Sequence, residues 1–257
     1  MLFEVKHLNK TYHTRSGEKV QALSDLSFTV TEKEFVSIVG PSGCGKSTLL
    51  KILSGILDRD NGDVSLLGEA VTAPRADIGL VFQDAVLLPW RTILQNVMLP
   101  IEVRRLDRSL YGNRAMDLLN LVGLSGFEHK YPNELSGGMQ QRASICRALV
   151  ADPAIMLMDE PFGALDAMTR EYMNIELLRI WAAAGKTILF VTHSIPEAVF
   201  LSDRVIVLSK RPGTVSEVVT IDLPRPRAIV DMNTDRFGTF VKQLRRHFSD
   251  FSEGGID

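Results

Sequence analysis

The sequence predicts an α/β protein built on a mainly parallel central sheet, and three features carry that prediction. Five short apolar runs recur along the chain: FVSIV at Phe35–Val39, IGLVF at Ile78–Phe82, IMLM at Ile155–Met158, ILFV at Ile188–Val191 and VIVL at Val205–Leu208. Strands covered on both faces read as continuous apolar runs of this kind. Stretches of helical character lie between them at Lys46–Gly55, Met139–Ala151 and Ala167–Ala184, and alternation of strand with helix marks a parallel sheet. Four of the runs also end on polar or glycine-rich elements: Gly40, Gln83, Asp159 with Glu160, and Thr192 with His193. Ligands of open parallel sheets bind at the carboxyl ends of the strands, so one site is expected to collect all four.

Taken in order, residues 1–90 supply the first runs of the core and 151–215 the rest. Between about 91 and 150 no buried strand is evident, and this stretch reads as a helical subdomain inserted into the core. From 216 to 257 runs a tail, with LPRPR at Leu223–Arg227 predicting an extended segment and KQLRRH at Lys242–His247 a terminal helix. A single domain with one insertion suits a chain of 257 residues.

Charge and cysteine usage weigh against several function classes. A net charge of -2 and a pI near 6.2 leave no basic excess of the kind that nucleic-acid binding usually demands, so DNA is a poor first expectation. Cys44 and Cys146 sit in different motifs, with neither metal-ligand spacing nor a disulfide framework. The start, MLFEVKHLNK, lacks a secretory pattern. No window approaches the roughly 18 apolar residues of a membrane span, so any membrane link is expected to run through a partner.

The first motif is GPSGCGKST, comprising Gly40, Pro41, Ser42, Gly43, Cys44, Gly45, Lys46, Ser47 and Thr48. It matches G-x-x-x-x-G-K-[ST] between a strand and a helix, the context in which this pattern binds phosphate. Its glycines let successive N–H groups face phosphate oxygens, and the following helix adds its positive end. Lys46 supplies charge to the β and γ phosphates, and Ser47 a hydroxyl to Mg²⁺. In IMLMDEP, Asp159 and Glu160 end a buried strand, where carboxylates need a partner. A metal fits: Asp159 would hold Mg²⁺, and Glu160 would act as general base toward water. A solvated acidic pair is the plainer alternative.

After ILFVT, Ser194 and Glu197 form an S-x-x-E capping box with Pro196 in the first helical turn, so His193 is expected on a strand-to-helix turn facing the site. There it would contact the γ phosphate and water. LSGGMQQR at Leu135–Arg142 places Ser136, Gly137 and Gly138 at a helix start, a second anion cradle; standing alone, it reads equally as a helix cap. Tyr12 by itself fits a core tyrosine as well as one that stacks on a base.

The order Tyr12, glycine loop, Gln83, LSGGMQQR, Asp159–Glu160, GALD at Gly163–Asp166 and His193 resembles the ABC-type ATPases across at least Leu2–Lys210. The resemblance implies a P-loop NTPase fold with an N-terminal antiparallel β region and an inserted helical subdomain, and ATP with Mg²⁺ as cofactors. It implies a head-to-tail dimer with a second copy, in which Ser136 and Gly138 close on ATP held by the other copy's glycine loop. It also implies that Tyr12 stacks on adenine, that Gln83 senses nucleotide and metal, and that Asp166 links the two sites. The GALD loop departs from the usual form, which begins with Ser where Gly163 stands.

DAVLLPWRTILQNVMLP after Gln83 and IDLPRPR at Ile221–Arg227 are similar to importer ATPases of the nitrate, sulfonate and taurine group. That likeness implies a motor subunit of an importer for a small anion. Its partners would be transmembrane permease subunits and, indirectly, a substrate-binding protein, and its place the cytoplasmic face of the cell membrane. Leu87, Leu88 and Trp90 are expected exposed for a permease, or else packed on the helical insertion. An exporter or lipid-trafficking ATPase shares the same motor motifs. ABC ATPases acting on nucleic acid or ribosomes carry a long coiled coil or two ATPase units, and this chain has one glycine loop and no such coil.

Overall fold

The computed structural model describes residues 1–14 and 17–249; the expected tail is therefore described as far as residue 249, and 250–257 lie outside. The chain forms two compact units, Met1–Arg75 with the segment from Thr187 onward, and Ala76–Lys186. The first begins with β1 (Phe3–His13), β2 (Lys19–Val30), β3 (Phe35–Val39), α1 (Lys46–Leu53), β4 (Asn61–Leu66) and β5 (Glu69–Ala70). The second holds β6 (Ile78–Val81), α2 (Ile93–Val97), α3 (Leu99–Val103), α4 (Arg108–Leu121), α5 (Gly137–Leu149), β7 (Ile155–Asp159) and α6 (Ala167–Ala184). The chain returns to the first unit with β8 (Thr187–Val191), α7 (Ile195–Leu201), β9 (Arg204–Leu208), β10 (Val215–Thr220) and α8 (Asp235–Ser249).

In the first unit one sheet is antiparallel, in the order β2-β1-β4-β5. A second set runs β10-β9-β3-β8, with β3 parallel to both β8 and β9 and only β10 antiparallel. Every residue of β3 and β8 is buried, which is why these strands read as unbroken apolar runs. The Phe35 and Phe190 rings meet 5.9 Å apart between them. α8 buries Phe237, Val241 and Leu244, one helical stripe, and exposes Lys242, Arg245 and Arg246 on the other side.

In the second unit β6 and β7 pair in parallel, Ile78 against Ile155 through Val81 against Met158. The chain between them includes α2 to α5, the helical subdomain. The fold is thus α/β with a mainly parallel sheet, an N-terminal antiparallel β region and a helical insertion, as expected.

Candidate functional site

In the first unit the glycine loop joins β3 to α1. Gly45 caps α1 with φ of 106°, a left-handed conformation that costs a side-chain-bearing residue about 1–2 kcal/mol. A Cβ there would also lie 2.7 Å from Leu23 Cδ2 and 2.9 Å from the Ala22 carbonyl oxygen, so the loop requires glycine on two counts. Lys46 is buried, and its ammonium donates to the carbonyls of Gly40 at 2.8 Å and Pro41 at 3.0 Å. Ser42, Gly43 and Ser47 are exposed. Cys44 is buried, and burial raises its thiol pKa while the nearby Lys46 charge pulls the other way.

Tyr12, from β1, reaches the same helix start: its hydroxyl lies 3.2 Å from Thr48 Oγ1, and the residue is 38% exposed. It is not a core tyrosine. Arg211 Nε donates to the Gly43 carbonyl at 3.2 Å. This support of the glycine loop has no motif in sequence, because the acceptor is a backbone oxygen.

His193 occupies the turn between β8 and α7, and is exposed. The Ser194 hydroxyl accepts the Glu197 N–H at 3.4 Å, but the expected reciprocal capping box does not form. The Glu197 carboxylate instead takes a short hydrogen bond from the Thr192 hydroxyl, which in turn accepts the Ser194 N–H at 3.0 Å. The Ser194 N–H that a reciprocal box needs is thus already satisfied by Thr192, and the buried carboxylate is satisfied by the Thr192 hydroxyl in its place. The turn carrying His193 is therefore tied from both sides.

The second unit gathers the other candidates. Asp159 ends β7, and Glu160 follows it at φ of 44°, a left-handed conformation for a non-glycine residue, which costs about 1–3 kcal/mol. The Gly163 N–H donates to the Glu160 carbonyl at 2.9 Å. A Cβ on Gly163 would stand 3.0 Å from Gln83 Nε2. The glycine that replaces the usual Ser thus leaves room for Gln83 to approach the Glu160–Asp166 loop.

Ser136 caps α5, accepting the Met139 N–H at 3.4 Å; Ser136 and Gly137 are exposed and Gly138 is buried. Gly138 packs against α6, where a Cβ would lie 3.3 Å from Thr169 Cγ2. Asp166 caps α6, taking the Thr169 N–H at 3.0 Å. Its hydrogen bonds with Thr169 hold the carboxyl below its usual range. Gln83, Asp159, Glu160, Asp166 and the Ser136–Gly138 start therefore share one unit, while Tyr12, the glycine loop and His193 share the other.

Three further side chains of the second unit hold the chain after Gln83. From α5, Gln141 Nε2 donates to the Phe82 carbonyl at 3.0 Å, and Arg147 donates to the carbonyls of Ala85 and Val86, each at 2.7 Å. Asn96, fully buried, accepts the Leu88 N–H at 2.7 Å and donates toward the carbonyls of Leu88, Arg91 and Thr92. Trp90 is 70% exposed and Val86 58%. Leu87 and Leu88 are half-buried, between the exposed placement and the packed alternative, with the Leu88 backbone held to α2 by Asn96.

A glycine loop with its lysine, ahead of a parallel-strand carboxylate pair, defines a P-loop nucleoside triphosphatase. The comparisons narrow the class. The ABC transporter family model matches residues 23–163, more than half of the chain, and the chain belongs to that family; it is an ATP hydrolase. It is 46% identical over 224 residues to the taurine import ATP-binding protein TauB of Rhizobium johnstonii, covering 87% of this chain and 86% of that one. It is 42% identical over 245 residues to an aliphatic sulfonates import ATP-binding protein SsuB of Bacillus cereus, covering 95% and 94%. A solved dimer of the ATP-binding cassette MJ0796, in a post-hydrolysis state bound to ADP and Pi, matches with TM-score 0.74 and 34% identity over 87% of this chain and 100% of that one. The likeness to the sulfonate and taurine group expected from the sequence is thus borne out.

Proposed function

We propose that this chain is the ATP-hydrolysing motor of an importer for a small anion such as a sulfonate, taurine or nitrate, working as a head-to-tail dimer beneath a separate membrane permease. One observation carries the dimer: a single chain presents two anion cradles, and the second, at Ser136 and Gly137, is exposed at a helix start and open to another copy. The dimeric cassette bound to ADP and Pi and the import names of the relatives support the reading. No described helix is long and apolar enough to cross a membrane, so the proposal places the protein peripherally, on the cytoplasmic face, through its partner. A substrate-binding protein would act on the far side.

In this reading Tyr12 stacks on adenine, and Gly40–Thr48 with Lys46 hold the phosphates. Glu160 takes a proton from the water attacking the γ phosphorus as the bond to the β-phosphate oxygen breaks, and His193 contacts the departing phosphoryl group. Asp166 links one copy to the other. A hydroxyl, an amide and one carboxylate, from Ser47, Gln83 and Asp159, are donors of the hard kind that Mg²⁺ takes together with phosphate oxygens. No group of three His, Cys, Asp or Glu suited to a metal of its own occurs among the described residues, and the donor set fits a metal that arrives with nucleotide. When bound, Mg²⁺ supplies charge neutralisation at the phosphates.

The test is Glu160→Gln. We expect ATP binding to persist, turnover to fall on the order of 10²-fold or more, and an ATP-bound dimer to accumulate in sedimentation. Unchanged turnover removes Glu160 as the base, and a monomer under saturating ATP removes the composite site.

For the permease, the exposed Trp90 and Val86 provide apolar anchors of the kind interface cores use. A cleft of about 340 Å³ lies just beyond, lined by Thr92, Leu94, Gln95, Met98, Arg108 and His129. This surface is where the proposal seats a permease helix.

A further inference from the structure

The LPRPR segment does more than mark a subgroup. α7 spans only seven residues, Ile195–Leu201, about two turns, far short of the roughly 12–15 residues at which isolated helices become even marginal. Its last carbonyls have no acceptor role within the helix and need donors. The tail provides them in order. Arg227 Nη1 donates to the carbonyls of Val199 at 3.0 Å, Phe200 at 2.9 Å and Ser202 at 2.8 Å. Arg225 Nη2 takes the one between, Leu201, at 2.7 Å, while its Nε binds Asp203.

Four consecutive carbonyls, 199 to 202, are therefore capped by two guanidinium groups. Arg227 Nη2 also donates to the carbonyls of Ile221 at 3.3 Å and Leu223 at 3.2 Å, fastening the tail itself. Arg227 is 6% exposed, and burial, reinforced by neighbouring Arg225, lowers its pKa to about 10; it remains charged at neutral pH. A buried cation at the negative end of a helix is favourably placed, and a guanidinium fork spans several acceptors where an ammonium cannot. The Ser202 hydroxyl bonds Ser37 on β3, which anchors the same end to the strand that leads into the glycine loop.

At the other end of α7 is the His193 turn, tied to the helix through Ser194, Glu197 and Thr192. We propose that Arg225 and Arg227 are positioning residues for His193: by capping the far end of α7 they fix the short helix from which the histidine turn is hung. The inference rests on the role given to His193 above.

The experiment uses the full chain and saturating Mg-ATP, with Arg227→Met, Arg227→Lys, Arg225→Gln, His193→Ala and the His193→Ala/Arg227→Met pair. Nucleotide-binding stoichiometry counts the folded fraction, and amide exchange over residues 195–202 reports the helix. For Arg227→Met we expect kcat to fall on the order of tenfold, as displaced catalytic groups do, with KM for ATP within about twofold, full stoichiometry and faster exchange in α7. Arg227→Lys is expected not to rescue kcat. In the His193→Ala background the Arg227 change should add less than about twofold, since groups acting as a unit are not additive. An undiminished loss in that background, or an unchanged kcat in Arg227→Met, overturns the positioning role while leaving His193 in place. A His193→Ala protein with normal kcat overturns both. Should Arg227→Met fail to fold, Arg225→Gln, whose side chain is partly exposed, carries the same comparison with a smaller drop in kcat expected; no drop at full stoichiometry overturns the proposal.

Discussion

Replacing Asn96 with Ala isolates the contribution of one buried side chain to the loop that follows Gln83. Its amide touches four backbone groups, but they are not equally dependent on it. The Leu88 carbonyl also accepts the Arg91 N–H at 3.1 Å, and the Thr92 carbonyl the Asn96 N–H at 2.9 Å. The Leu88 N–H, at 2.7 Å from Asn96 Oδ1, and the Arg91 carbonyl, at 3.1 Å from Nδ2, lose the contact that Asn96 provides. A stranded buried group costs about 1–3 kcal/mol; with Leu88 and Arg91 half-buried, the lower part of that range applies to each, and the sum is about 2–3 kcal/mol. For a chain of this size that lowers Tm by roughly 5–10 °C.

The variant's melting and urea curves measure the cost directly. Because the loop carries Trp90, co-purification with the membrane partner should weaken while ATP affinity measured by calorimetry stays near wild type. A stability change below about 0.5 kcal/mol, the range of ordinary surface substitutions, would refute the reasoning: the loop would then be held by Arg147 and Gln141 alone.

Gly45→Ala combines left-handed strain with contact against Leu23 and Ala22; at about 1–3 kcal/mol, ATP affinity by calorimetry should drop roughly 5- to 150-fold, and a normal affinity would show that the loop tolerates a Cβ. Trp90→Ala removes a side chain that is 70% exposed and should change stability by less than about 0.5 kcal/mol while reducing recovery of the membrane partner; a large stability loss instead would make Trp90 a packing residue. Glu34→Gln probes acid stability. Burial pushes the Glu34 pKa up, but hydrogen bonds from Arg204 and Thr31 and the Arg204 charge outweigh it, so the folded value lies below 4.5. A carboxyl depressed on folding contributes stability that is present above pH 4.5 and lost as pH falls through the folded value. The wild type should therefore lose more stability than Glu34→Gln in that window, and parallel pH curves would contradict the linkage.

Much of the architecture was legible because burial leaves a simple trace. The five apolar runs became β3, β6, β7, β8 and β9 nearly residue for residue, and Ala167–Ala184 is α6. The long β1 and β2 were not readable from periodicity: FEVKHLNKTYH mixes buried and exposed positions across register shifts after Val5 and Leu8, which breaks the strict alternation of a regular strand. They came only through resemblance. Phosphate- and metal-binding residues declared themselves by type and spacing, whereas Arg211 and Arg147 lie in no motif, and Asn96, Gln141 and Arg227 lie within motif segments that do not show what they hold. Their partners are backbone carbonyls or N–H groups brought close by the fold, and a carbonyl has no letter in the sequence. The half-formed capping box at Ser194 is the same lesson in reverse. The S-x-x-E spacing was present, but a neighbouring hydroxyl, Thr192, competed successfully for Glu197.

Within the second unit these unannounced contacts have a mechanical consequence. α5 begins at the Ser136 cradle, and its side chains Gln141 and Arg147 grip the carbonyls of Phe82, Ala85 and Val86 on either side of Gln83. Burial lowers the Arg147 pKa, but a guanidinium stays protonated in proteins, so its two bonds are charge-assisted, and such bonds are roughly twice as strong as neutral ones. The segment that carries Trp90 is therefore joined to α5 by three hydrogen bonds, two of them from one guanidinium. The loop proposed to meet the permease and the helix start proposed to close on the other copy's ATP are thus physically connected within one unit, through α5 and the side chains of Arg147 and Gln141.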